Sequence, residues 1–312
     1  EYPFIMTAFR EKIGNIGFGS MYAQFNGIAL GSDEAYQKVL GALHVAMDEG
    51  VTFFDTADIY ASAWNTFGQN ELMVADAVRT WSGAAEQKAK IVIGTKAGIT
   101  RKPGEIWGRN ASADYLLRAA EASAGRLGVS KLDLWQHHRT DPSLGFEEQV
   151  QNLDAVRQRG IVEHIGVSNY SAKQLIRAME ILGTPAEGGI VSVQNQLNPV
   201  YRQELDVLEV CEQYDVVYLP WSPSKGVKDL ESVFSSIAAD QEKSTHAVAL
   251  AWLRSLSPSV VPIPGVTRVE TVLDNLSGLD IKLSDQEIAE INEKLPASLP
   301  MDAELLADQP KH

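Results

Sequence analysis

The chain has a single cysteine, Cys211, in 312 residues. That excludes an intrachain disulfide and a thiolate metal cluster and fits a reducing, cytoplasmic setting, with no metal expected. It is also short of positive charge: 27 Lys and Arg stand against 41 Asp and Glu, a formal net charge of −14. Phosphate backbones and anionic headgroups are held by clustered cations, so no general affinity for nucleic acid or membrane is expected, and any bound anion needs a local site. No apolar run approaches the ~20 residues that cross a bilayer. Residues 1–14, EYPFIMTAFREKIG, lack the basic and continuous apolar regions of a signal peptide. Low-complexity tracts and Pro/Gly/Ser-rich linkers are missing too, so the expectation is one domain over 1–312, ending in an irregular tail at 296–312.

What is present alternates. Eight short apolar or β-branched runs occur at 15–21, 51–57, 90–97, 132–138, 164–170, 191–197, 216–222 and 260–265. Their nearly continuous hydrophobicity suits strands covered on both faces. Helical spacing separates them, as in the stretches opened by Ser32 and closed by Gly50, running from Ser112 to Gly128, and running from Ser171 to Gly183. Eight strand-helix units predict a closed α/β (β/α)8 barrel, of TIM-barrel type, with an extra C-terminal helix capped by Ser284. An open doubly wound sheet is the runner-up, but GFGSM lacks the third glycine of a dinucleotide-binding turn.

In a barrel of this kind chemistry gathers at the C-terminal ends of the strands. Asp55 closes the second strand, Tyr60 follows in its loop, Lys96 ends the third and His138 ends the fourth. Successive strand residues point to opposite faces, so Leu134, Gln136 and His138 share one face and His137 takes the other; His138 is read as the inward one. Each residue alone has an ordinary structural explanation. Together they form a proton donor: an ammonium beside a phenol favours the phenolate, and a carboxylate holds the ammonium.

The ordered set GFGSM, FFDTADIY, GTK, LDLWQHHRTDP, GVSNY, QNQLNP, WSP and IPG, followed by Asp274-Asn275, resembles the aldo-keto reductases over nearly the whole chain. The resemblance implies a barrel that transfers hydride from a nicotinamide cofactor to an aldehyde or ketone. Tyr60 would be the general acid, Lys96 and Asp55 would tune it, and His138 would orient the carbonyl oxygen. It also implies that Ser168, Asn169 and Gln194 bond the carboxamide, that Trp221 stacks on the nicotinamide, and that Ser222, Pro223 and Ser224 face the pyrophosphate. By the same resemblance Gly19, Ser20, Met21 and Asp55 would line the cofactor trough, and Gly265, Thr267, Arg268, Thr271, Asp274 and Asn275 its adenosine end.

Two departures stand out. After IPG only Arg268 is basic, and Thr271 takes the place where relatives often carry an arginine for the 2′-phosphate. NADP(H) is favoured, with Lys225 and Lys228 as further cations, and NAD(H) is the alternative. Thr140 replaces a proline common in relatives without displacing His138. For the small-molecule carbonyl substrate, Trp64, Trp107 and Arg139 join Tyr60 and His138 as candidate contacts, and a sugar aldehyde suits that mixture of indole and guanidinium. Two other functions compete: a cofactor-binding regulatory subunit of the same fold, and an unrelated barrel enzyme acting on a phosphorylated metabolite. No motif speaks to oligomeric state.

Overall fold

A computed structural model describes residues 8–25 and 33–301. The expected cap Ser32 and the tail beyond residue 301 lie outside the described residues. Seven parallel strands pair in the order β1 (Phe18–Gly19), β2 (Phe53–Asp55), β3 (Val92–Ala97), β6 (Leu132–His137), β7 (Val162–Ser168), β8 (Ile190–Gln194) and β9 (Val217–Tyr218). Between β3 and β6 an antiparallel hairpin, β4 (Ile99–Lys102) and β5 (Ile106–Arg109), stands apart from that sheet. None of the eight apolar runs covers these residues.

The eighth expected segment, 260–265, closes the barrel without forming a regular strand. Val261 N–H donates to Tyr218 O, and the carbonyls of Pro262 and Pro264 accept from Gly17 N–H and Gly19 N–H. Proline has no N–H, so the segment can accept on one side but cannot complete a ladder. The result is a closed (β/α)8 barrel in which the last element pairs through isolated bridges, Tyr218 with Val260 and Gly19 with Gly265.

Strand alternation sorts the core into two clusters. Phe53, Val92, Leu134, Val217, Leu219, Val261 and Ile263 fill the barrel. Their neighbours Phe54, Ile93, Trp135, Val216, Tyr218 and Val260 pack outward with the helices. The Phe53 ring occupies space left by two glycines: a Cβ on Gly17 would fall 2.4 Å from it and one on Gly94 3.0 Å. A short helix, Ala8–Ile13, sends Phe9 and Ile13 into the interior cluster. The expected C-terminal helix spans Asp285–Lys294, with Ser284 and Glu287 forming a capping box. Beyond it Leu299 N–H donates to Val200 O, holding the described end of the chain against the loop after β8. No helix among the described residues is long and apolar enough to cross a membrane.

Candidate active site

Asp55 ends β2, Lys96 lies in β3 and His138 follows β6, so barrel closure carries the three side chains to one end of the fold. Lys96 is fully buried, and its Nζ donates to Asp55 Oδ2 at 2.6 Å, to Thr56 O at 2.7 Å and to Tyr60 OH at 3.2 Å. Gln194 Nε2 donates to the other Asp55 oxygen at 2.9 Å. Both carboxylate oxygens are therefore engaged, and the ammonium is fixed between a carboxylate and a phenol. The His138 ring meets the Tyr60 ring edge-on at 5.8 Å between centroids.

The electrostatics follow from burial. Burial raises the Tyr60 pKa and outweighs the ammonium of Lys96, which pulls it down. The sequence reading stressed the ammonium alone; in the folded chain desolvation is larger, so the phenol stays protonated. Burial also works against the Lys96 charge, but Asp55 and Tyr60 overcome it and the lysine pKa ends above its ordinary value. His138 is driven well below the usual histidine range by burial, then by Lys96, Arg139 and Arg109. It is a neutral imidazole that lines the active-site cleft, its Nδ1 buried without a hydrogen-bond partner. His137 turns the other way, its Nδ1 2.8 Å from the Tyr170 hydroxyl.

These groups open on a cleft of about 180 Å³, whose lining includes Tyr60, His138, Arg139, Asn169, Gln194 and Trp221. Met21, Ser168, Ser222, Pro223, Gly19 and Gly265 also line it. Its polar side chains form one network: Ser168 Oγ donates to Gln194 O at 2.7 Å, Asn169 Nδ2 to His138 O at 3.1 Å, and Trp221 Nε1 to Asn169 Oδ1 at 3.2 Å. Asn169 and Ser222 hold left-handed backbone, φ 59° and 51°, a conformation that non-glycine residues keep mostly where the surroundings impose it. Ser20 is buried beside this lining, its N–H donating to Asp55 O and its hydroxyl to Asn70 Oδ1.

A second recess of about 250 Å³ holds Ser224, Thr267, Thr271 and Asn275 with His246. Tyr22 and Gly265 line both spaces. A Cβ on Gly265 would meet only Tyr22 Cδ2, at 3.8 Å. Arg268 is exposed and outside the recess lining, its guanidinium 3.4 Å from the Thr271 hydroxyl. Asp274 accepts from Ser244 Oγ at 2.7 Å.

Trp64 and Trp107 line neither space. Both are exposed, and Trp107 stacks against the Arg101 guanidinium at 4.7 Å. Arg101 also donates to Ala61 O, while Glu105 accepts from Trp64 N–H, so the β4–β5 hairpin is tied to the loop that follows Tyr60. Asp141 anchors the turn after His138: its carboxylate accepts from Ala111 N–H at 3.0 Å and Ser143 N–H at 2.9 Å.

Sequence reasoning missed the group beneath Tyr60. Asp58 is fully buried, and neither of its oxygens meets a donor at full hydrogen-bond geometry. Burial and then the nearby Glu71 push its pKa well above the carboxylate range, with Arg126 and the Ile59 amide opposing them. The folded chain thus holds this proton to higher pH than the unfolded chain does. By linkage, the Asp58 contribution to stability is lost as pH rises from the ordinary carboxylate pKa of ~4 towards the folded value, at up to ~1.4 kcal/mol per pH unit. Asp58→Asn, which keeps the shape of the protonated acid, is expected to flatten that decline; denaturant titrations from pH 5 to 8 that fall equally steeply in both proteins would reject it.

The chain matches the Aldo/keto reductase family over residues 15–296. An oxidoreductase of Schizosaccharomyces pombe described as uncharacterized is 29% identical over 90% of this chain and 87% of its own length. A second S. pombe protein, an aldo-keto reductase named for NADP(+), is 29% identical over 91% of this chain and 90% of its own. Among solved structures, a Bombyx mori aldo-keto reductase in complex with NADP superposes with a TM-score of 0.72 at 22% identity, covering 95% of this chain and 94% of that one.

Proposed function

Because the chain belongs to the aldo/keto reductase family, we propose that it reduces an aldehyde or ketone to the alcohol with a nicotinamide cofactor, NADP(H) in preference to NAD(H). The observation that carries this reading is the buried relay Asp55, Lys96, Tyr60, with the Lys96 ammonium 3.2 Å from the phenol oxygen and a neutral histidine beside it. A nicotinamide in the cleft would supply hydride to the carbonyl carbon.

The protein's part is then protonation and placement. His138 donates from Nε2 to the carbonyl oxygen and draws it towards Tyr60. As charge develops on that oxygen, the Tyr60 hydroxyl gives up its proton, and the phenolate formed is stabilised by the Lys96 ammonium. Asp55 holds the ammonium in place, and Gln194 holds Asp55. The residues fit the cofactor on their own terms: an indole and apolar side chains with a few convergent polar groups, joined past Gly265 to a hydroxyl-lined recess. Ser168, Asn169, Gln194 and Trp221 would hold the nicotinamide end. Ser222, Pro223 and Ser224 would flank the pyrophosphate, and Thr267, Arg268, Thr271 and Asn275 the adenosine end. Substrate would enter between Tyr60, His138 and Arg139.

The direct test is a panel of aldehydes, ketones and sugars followed at the NADPH absorbance band. Turnover of at least one carbonyl compound is expected. Tight NADPH binding with no turnover across the panel would instead favour a regulatory subunit, and no binding of either nicotinamide cofactor would defeat the reading altogether.

A further inference from the structure

We propose that His246 is a specificity-determining residue for the 2′-phosphate that distinguishes NADP(H) from NAD(H). The inference rests on the cofactor reading above and adds a residue that none of the sequence motifs contains. Among the side chains lining the second recess, His246 is the one that can carry positive charge. The other polar side chains offer hydroxyls, from Tyr22, Ser224, Thr267 and Thr271, and an amide, from Asn275.

Hydroxyls alone make a weak phosphate site. Taking a dianion out of water requires donors that bring charge or a strongly polarised N–H. The run after IPG provides little of this: position 271 is a threonine, and Arg268 lies exposed outside the lining. An imidazole donates an N–H when neutral and adds a full charge when protonated. His246 lines the same recess as position 271, on a different element from the residues that usually carry the cation.

Its position is built into the fold. His246 lies in the first turn of the helix Thr245–Ser255, whose cap Ser244 accepts from Ala247 N–H at 3.0 Å. The same Ser244 hydroxyl donates to Asp274 on the helix Val269–Ser277. Ser244 and Asp274 thus lock the start of one helix to the helix that carries Thr271 and Asn275. The first-turn amides also leave partial positive charge at this end of the helix.

The test is fluorescence titration of the full chain with NADPH, NADH, 2′,5′-ADP and 5′-ADP, comparing wild type, His246→Ala, His246→Gln and Arg268→Ala. The expected result for His246→Ala is a roughly tenfold or greater loss of affinity for NADPH and 2′,5′-ADP, in the range of one hydrogen bond to a charged group. NADH and 5′-ADP should stay within about twofold of wild type, and His246→Gln, which keeps an N–H donor, should recover part of the loss. Equal weakening of phosphorylated and unphosphorylated ligands would overturn the proposal, since that pattern marks an adenine contact or a misplaced helix. So would an unchanged His246→Ala alongside an Arg268→Ala that abolishes discrimination. If wild type binds none of the four ligands, the cofactor reading itself fails, a result distinct from either of these.

Discussion

Tyr60→Phe is expected to bind NADPH within about twofold of wild type and to lose carbonyl reduction by roughly 10²–10⁴-fold, the usual contribution of a positioned general acid. The substitution removes one oxygen and keeps the ring. That ring packs edge-on to His138 and lies 4.8 Å below the Lys96 ammonium, so the surrounding geometry has no reason to collapse. No neighbour can replace the lost proton donor. His138 is held neutral by burial and the surrounding cations, and the Lys96 ammonium is made less acidic by Asp55. Because burial raises the Tyr60 pKa, the wild-type rate of reduction should be level through neutral pH and fall only above the ordinary tyrosine range of ~10. Single-turnover kinetics at saturating NADPH isolate the chemical step, where the loss should appear in kcat and leave KM nearly unchanged. A Phe variant with near-normal turnover would remove Tyr60 as the acid.

Legibility in the sequence tracks how local the physics is. Seven of the eight apolar runs overlap the paired strands, with β7 and β8 starting two residues and one residue earlier, because hydrophobic periodicity reports burial directly. The choice of His138 over His137 needed only the two-residue repeat of a strand, and His138 does line the cleft. The eighth run closes the barrel, but Pro262 and Pro264 reduce its pairing to a few bonds. The β4–β5 hairpin lies outside the eight apolar runs, and its one sequence signal is the turn pair Pro103-Gly104 between two β-branched or aromatic stretches. Trp64 and Trp107 show the limit of composition. Aromatic residues after a strand end suggest a substrate contact, whereas Trp64 and Trp107 are not among the cleft lining and are engaged with Glu105 and Arg101 instead. His246 was invisible for a different reason: it sits on the helix before the expected phosphate segment, and only the fold brings the two together.

The cluster beneath Tyr60 carries the second large effect. Glu71 is fully buried in the helix Gln69–Thr80, and Arg126 reaches it from the helix Ala113–Leu127, Nε to Oε2 at 2.5 Å, while Thr95 donates to the other oxygen. Gly68 makes room for the guanidinium: it holds φ 79°, and a Cβ there would fall 2.1 Å from Arg126 Nε. Its N–H also donates to Asp58 O, tying the pair to the turn that carries Tyr60. Arg126→Met should therefore destabilise the fold by about 3–5 kcal/mol, the cost of stranding a buried charge. The denaturant midpoint should fall while the slope stays near wild type, because the surface exposed on unfolding is unchanged. Glu71→Gln in the Arg126→Met background should recover part of the loss by removing the stranded charge, so the double variant is less destabilised than the sum of the single ones. An Arg126→Met protein as stable as wild type would mean that the pair carries no such burden. If stability and the rate of reduction fall together, and the double variant restores both, the cluster acts by holding the turn that presents Tyr60.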